Sequence, residues 1–434
     1  MLDTPEVVLE QFRGSPQNGF LPAVPPLKRL EDPYYEPWEN IVCDLPAYIK
    51  DGSIRQKVDC LPVLSTSMLN DEAEWRRAYV VLAYLTHAYV WGGEKPSERL
   101  PPAISCPFLD VSSRLELPAC ATYAAVCLWN FAANNDQTDL TDPDNLCVNT
   151  SFTGTKDEEW FFMVSAAIEA TGAKLFPIML NAIHAVNVND APTVAASLNR
   201  VCEGIQEIAI ILQRMFEKCG PSVFFHQIRP FLAGSKNMAT AGLPNGVFYD
   251  VGDGQGEWRQ YSGGSNAQSS LIQTFDIFLG VQHSATGEVK SDAAGQQSGR
   301  TGYLQEMRNY MPGPHRRFLE MLTRLSNIRA YAMKQRPGSA VRDAYNTAAM
   351  TLGSFRDIHI QLVSRYIIMA SKTKPIDDHA KKTNLATATA KHARTTEKHK
   401  VSLTGTGGTD LIPFLRRTRD TTKAAANYMD SAVL

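Results

Sequence analysis

The stretch 354–367, SFRDIHIQLVSRYI, places one imidazole in a chemically suggestive setting. At helical spacing Phe355, Ile358, His359, Leu362, Val363 and Tyr366 share a face, while Arg356, Gln361, Ser364 and Arg365 cover most of the rest. Gly353 precedes this predicted helix and Pro375 limits its continuation. Two roles satisfy the pattern. His359 is either a core histidine bonded to a carbonyl, or an uncharged imidazole on a dry wall, which is what an axial haem ligand requires. The helix alone does not choose between them.

Other residue types raise similar pairs of readings. In PSVFFHQIRPFLAG, Arg229 ends a short aromatic helix just before Pro230. A guanidinium there either caps a carbonyl or ion pair, or clamps a carboxylate beside an aromatic pocket; neighbouring His226 reads as structural. Tyr123 lies in an apolar helix expected from about 118 to 131, where a buried phenol needs a partner or a ligand. In the helix beginning near Lys156, the small residues Ser165, Ala166 and Ala167 follow Phe161 and Phe162 by one turn. They admit either a neighbouring helix or another body. The GGS at 263–265 lets backbone approach a ligand closely, but without the strand-turn-helix setting of a nucleotide loop.

The elements that must position these groups are mostly helical. A proline-rich arm covers residues 1 to about 60, with short helices only. A helix is expected from 67 to 91, with Asn70 or Asp71 as N-cap and Gly92-Gly93 as its stop. A long helix from about 193 to 218 carries a seam of Val201, Ile205, Ile208, Leu212 and Met215. Residues 244–270 read as loops, with Asn245-Gly246 as a hairpin-type turn. Helices recur over 271–281, 301–335 and 340–370. From 371 to 404 Lys, Thr, Ala and His dominate, which predicts a mobile loop of the lid type in which His379, His392 and His399 are solvated.

Composition narrows the class. A chain of 434 residues predicts two domains, drawn here as 1–152 and 153–434. A formal net charge of −2 gives no electrostatic case for nucleic acid or an anionic membrane. The strongest apolar run, YVVLAYL at 79–85, is far short of the ~20 residues that cross a bilayer. Eight scattered cysteines without CxxC pairs suggest neither a zinc site nor a disulfide framework, and an N-terminus without a basic flank or apolar core argues against secretion. A cytoplasmic, reducing setting follows. No P-loop, GxSxG, HExxH or dinucleotide fingerprint is present.

Seven segments in order then resemble the indoleamine 2,3-dioxygenase family. They are GFLP at 19–22, WFFMVSAAIE at 160–169, FFHQIRPFLAG at 224–234, YSGGSNAQSSLIQTFDIFLG at 261–280, YMPGPHRRFL at 310–319, RDIHIQLVSRYI at 356–367 and GTGGTDLIPFLRRTR at 405–419. The resemblance implies an all-α fold, a small N-terminal helical domain over a larger one that holds haem b. It places His359 as proximal iron ligand, with Asp276 and Arg356 near a haem propionate. It places Tyr123, Phe161, Ser165, Phe224 and Leu232 along the distal pocket, and Arg229 on the substrate carboxylate. Gly264, Ser265 and Asn266 match the loop beside haem and substrate, and Thr406 the return of the lid.

The implied activity is insertion of both atoms of dioxygen across the indole 2,3 bond of L-tryptophan. It would be carried out by a monomer whose iron an external one-electron reductant keeps ferrous. None of the matched distal residues is an acid or base, so catalysis rests on positioning. One departure stands out: the family loop usually reads GGSAGQSS, and Asn266 here adds bulk and an amide at the pocket edge. It favours either another indole substrate or an oxygen-binding protein of the same fold with little catalysis. A cofactor-free helical scaffold is the third alternative.

Overall fold

The computed structural model describes residues 5–133, 139–283, 302–373 and 411–426. Apart from its first three residues, the expected loop at 371–404 lies outside them, as do Thr406, His379, His392 and His399. The structure is 65% helical with a few short strands, as the sequence led us to expect of an all-α protein.

The N-terminal arm does fold into short helices: α1 (Pro5–Gln11), α2 (Glu36–Cys43), α3 (Leu45–Asp51) and α4 (Ile54–Asp59). Glu39 on α2 pins it to α5 (Glu72–Trp91). Its Oε1 accepts from the Leu30 amide at 2.9 Å and from Arg77 Nε at 2.9 Å, and its Oε2 takes Arg77 Nη2 at 2.5 Å. Both side chains are buried, so removing either would strand a charge. Asp71, one of the two candidate N-caps, accepts from the Glu74 amide and starts α5.

Strand β1 (Arg99–Leu100) leads into α6 (Pro102–Leu115), a helix not expected from the sequence because Pro101, Pro102 and Pro107 mask it. Pro102 sits at its first turn, where no amide is needed. The helix expected over 118–131 is a correction in the other direction. Only a π-helical turn, Ala124–Leu128, forms, followed by β2 (Phe131–Ala133), which pairs with β3 (Leu146–Val148). Tertiary partners take the amides a helix would use. Ala121 donates to His87 Nε2 at 2.9 Å and Tyr123 to Gln268 Oε1 at 2.8 Å.

The next helices are α7 (Lys156–Ala173), α8 (Leu175–Asn187), α9 (Ala191–Gln213) and the short α10 (Met215–Lys218) and α11 (Pro221–Val223). The expected seam residues of α9 and Met215 beyond it are all buried. Among the described residues, the stretch Lys156–Asn187, rather than 79–85, is the apolar segment long enough to cross a bilayer by composition, yet 83% of its most apolar window is buried inside the protein, as in a core helix.

Within 244–270, taken as loops, the structure has a hairpin of β4 (Val247–Gly252) and β5 (Gln255–Arg259), with β1 parallel on the other edge of β4. The hairpin turn is Asp253-Gly254, both at positive φ, and not Asn245-Gly246. Then come α12 (Ser270–Phe278), α13 (Tyr303–Met307), α14 (Gly313–Leu325), α15 (Ile328–Lys334), α16 (Ala340–Val363) and α17 (Leu411–Ala425). Helix α16 begins where the helix expected over 340–370 does, so it runs through Gly353 rather than starting after it, and it ends in a π-helical turn at Ser364–Met369. At Gly353 a Cβ would meet Lys423 Cγ of α17 at 2.5 Å, so this glycine serves helix contact rather than termination. Helix α16 packs between α9 and α17. The 152/153 boundary falls just before α7, and buried apolar side chains on both sides of it belong to one contiguous cluster.

Candidate active site

Helices α7, α16 and α17, the 224–232 segment and the 264–272 segment enclose a cavity of about 270 Å³. That is far more than the ~10–15 Å³ one ordered water needs. Tyr123, Phe161, Ser165, Phe224, Arg229, Leu232, Gly264, Ser265, Asn266, Arg356 and His359 all line it. Its walls are mainly apolar, and no carboxylate lines it among the described residues. Residues from Tyr123 to His359 are thus brought to one surface.

On the α16 wall, His359 stands among Phe355, Leu362, Val363 and Tyr366, while Ile358 of the predicted stripe stays outside the lining. Burial, and then the Arg356 guanidinium, lower its pKa from 6.5 to about 4, so the imidazole is neutral at physiological pH. No hydrogen bond to either ring nitrogen is present among the described residues. A core histidine bonded to a carbonyl is therefore not what forms.

Also lining the cavity, Arg229 closes the π-helical turn Phe224–Ile228 and is only 5% exposed. Its guanidinium lies 5.5 Å from the Phe225 ring centroid. Burial lowers its pKa to about 10, which leaves it cationic at neutral pH. Its segment hangs from α5: His87 Nδ1 donates to the Phe231 carbonyl at 2.7 Å and Trp91 Nε1 to the Ala233 carbonyl at 3.0 Å. Since His87 Nε2 accepts from Ala121, this one neutral ring holds the Tyr123 and Arg229 segments together. Burial lowers its pKa from 6.5 to about 4. Between those values the unfolded chain binds a proton that the native state refuses, so stability is full above pH 6.5 and falls as the pH drops. Denaturant melts at pH 7.5 and 4.5 should differ by on the order of 3 kcal/mol from His87 alone, and His87→Gln should shrink that difference.

Of the two glycines in the 261–265 loop, Gly264 lines the cavity, but Gly263 has a different purpose from the one expected. A Cβ on Gly263 would meet the Leu232 carbonyl oxygen at 2.0 Å and the Gly234 amide nitrogen at 2.5 Å. Close backbone crossing, rather than approach to a ligand, requires Gly263, and this crossing sets Leu232 against the loop. Gly263→Ala should lower the melting temperature by several degrees and disturb ligand binding, because backbone, not a flexible side chain, must move.

Behind the cavity, Arg356 Nη2 bonds both oxygens of Asp276 at 2.8 and 2.7 Å. Burial alone would raise Asp276, but Arg356 and then His283, at 3.1 Å, hold it below the usual carboxylate value. Asp276 is not on the cavity surface; it orients Arg356, which also bonds Thr422 of α17. Asp357 takes Arg419 at 3.0 Å and Lys423 at 2.5 Å, so α17 is tied down beside the cavity at three points.

The indoleamine 2,3-dioxygenase family model matches residues 8–425. The chain belongs to that family. Among its relatives are the indoleamine 2,3-dioxygenase nanC of Aspergillus nanangensis, 44% identical over 98% of this chain and 99% of the relative, and the indoleamine 2,3-dioxygenase of Saccharomyces cerevisiae, 39% identical over 98% and 94%. A 6-hydroxytryptophan 2,3-dioxygenase, fscD of Fusarium equiseti, is 37% identical over 95% and 96%.

Membership in the indoleamine 2,3-dioxygenase family makes the protein a haem-dependent dioxygenase. The donor set fits that group. A neutral imidazole with no protein partner among the described residues faces an apolar cavity, and a buried guanidinium, Arg356, stands three residues away to meet an acidic edge.

Sequence reading missed several wall residues: Cys127, Leu212, Tyr303, Leu411, Phe414 and Thr418. Spacing of three and four along α17 was a readable signal for the last three. Nothing local marked Tyr303, whose ring meets Phe414 edge-on at 5.0 Å.

Proposed function

We propose that this dioxygenase opens the indole ring of L-tryptophan at its 2,3 bond to give N-formyl-kynurenine, both oxygen atoms of dioxygen entering the product. The observation that carries this reading is that one apolar cavity is lined by both a neutral His359, without a hydrogen-bond partner among the described residues, and the buried cation Arg229. Haem b bound through His359 would supply ferrous iron for dioxygen chemistry, maintained by an external one-electron reductant. Arg356, braced by Asp276, would meet a propionate.

The chain's own residues would do the positioning. Arg229 pairs the substrate carboxylate; its fork suits a planar, bidentate partner, and its desolvated charge favours one. Phe161 and Phe224, whose rings lie 4.6 Å apart, form an aromatic wall for the indole. Ser165 leaves room, since its hydroxyl turns back toward the Phe161 carbonyl at 3.4 Å. The absence of a carboxylate among the described lining residues keeps water and proton traffic low, which suits a reaction needing little acid–base help. All eight cysteines are free, in keeping with a reducing, cytoplasmic setting.

A second reading, a ring-substituted indole as preferred substrate, is favoured by Asn266, an exposed amide on the cavity rim. Aerobic incubation of the reduced holoprotein with L-tryptophan should produce N-formyl-kynurenine absorbance; its absence would refute the primary reading. A higher kcat/KM for a hydroxytryptophan, lost in Asn266→Ala, would establish the second.

A further inference from the structure

Glu169 lies one turn beyond Ser165 on α7, behind the cavity wall and 1% exposed. Its Oε1 accepts two hydrogen bonds, from the Tyr123 hydroxyl at 3.0 Å and from Ser269 Oγ at 2.6 Å. Its Oε2 is buried with no partner among the described residues. Ser269 is the N-cap of α12 and ends the 261–269 loop. The same loop reaches Tyr123 again through Gln268, whose Oε1 takes the Tyr123 amide while its Nε2 donates to the Gly263 carbonyl at 2.9 Å. One carboxyl oxygen therefore joins three elements of the wall: α7, the Tyr123 segment and the loop carrying Gly264, Ser265 and Asn266.

We propose that Glu169 is the positioning residue of the substrate wall, holding Tyr123 and the 263–269 loop in register through Oε1. This rests on the reading of the cavity as the substrate site. The asymmetry of the carboxyl says which form does this. A carboxylic acid with its proton on Oε2 can accept both hydroxyls on Oε1, whereas a carboxylate leaves a bare charged oxygen in an apolar interior. The groups facing it are Tyr123 and Cys127 from the 121–128 segment and Ser269 from α12; no cation contributes among the described residues. Burial, offset only in part by the Ser269 and Tyr123 hydroxyls, accordingly raises its pKa from 4.5 to about 7. On ionisation Oε2 must recruit a donor, which pulls on Ser269 or Tyr123 or admits water, and the wall loosens.

The test compares wild type, Glu169→Gln and Glu169→Ala as holoproteins. Tryptophan affinity, read from the haem absorbance shift on titration, should weaken about fivefold in wild type between pH 6 and 8. It should stay flat in Glu169→Gln, whose amide oxygen still accepts both hydroxyls. Glu169→Ala should bind about tenfold more weakly at both pH values; if it does not fold, Glu169→Gln decides. A profile in Glu169→Gln that follows wild type, or wild-type affinity in Glu169→Ala, overturns the proposal. Infrared difference spectra between pH 6 and 8 separate this from failure of the substrate reading. A carboxylic-acid carbonyl band lost in Glu169→Gln should be present whatever ligand the cavity takes, and its absence in wild type also overturns the proposal.

Discussion

His359→Ala is expected to yield a folded protein without a Soret band. The side chain makes no hydrogen bond among the described residues, and it stands on a cavity wall rather than in a packed seam, so truncation removes few contacts. Its neutral state at physiological pH means that no ion pair is lost either. What disappears is the one nitrogen donor that faces the cavity with free lone-pair capacity, since the lining holds no second histidine among the described residues. We expect haem content to fall at least tenfold on purification while circular dichroism and the melting temperature of the haem-free chain stay near wild type. An unchanged Soret band and stoichiometric haem would show that the iron is held elsewhere. Loss of folding would show instead that His359 is structural.

The second large effect is expected at Arg229. Here the group is charged, buried and not part of the iron site, so its removal should separate substrate binding from haem binding. Losing a buried, hydrogen-bonded partner of a carboxylate costs about 2–5 kcal/mol, which corresponds to a rise in KM of about 30-fold or more. Arg229→Ala should show that rise for L-tryptophan with unchanged haem content, and a much smaller one for an indole lacking the carboxylate. Equal losses for both ligands would remove the clamp assignment. Arg229→Lys should recover only part of the loss, since an ammonium cannot offer two parallel donors.

Both variants also bear on how the site is legible from sequence. The helical spacing around His359 correctly placed Phe355, Leu362, Val363 and Tyr366 beside it, because a helix imposes its period on any ligand it presents. The same spacing was silent about which partner the imidazole meets. Arg229 illustrates the opposite limit. An arginine before a proline is an ordinary helix end, and only the suspension of its segment from His87 and Trp91 of α5 turns it into the cavity. Glu169 went unread as anything but part of a matching segment, since a single glutamate on an apolar helix carries no local sign of the two hydroxyls waiting for it.

Two of the departures share a cause. The helix expected over 118–131 has suitable residues, but His87 and Gln268 claim the amides of Ala121 and Tyr123, and those partners are 34 and 145 residues away. Gly263 was read as room for a ligand and serves instead the crossing of two backbones. Proline-dense Pro102–Leu115 is a helix all the same: Pro102 sits at the first turn, where no amide is needed, and the helix continues through Pro107 in its interior.

Periodicity and ordered motifs, properties of the chain itself, were enough to establish the all-α class, the family and a part of the cavity lining, including His359 and Arg229. Which atoms are paired, which imidazole is left without a partner and which carboxyl oxygen is bare were decided only in the tertiary structure. Hydrogen bonds and desolvation depend on distances between segments, and sequence order does not encode those distances directly.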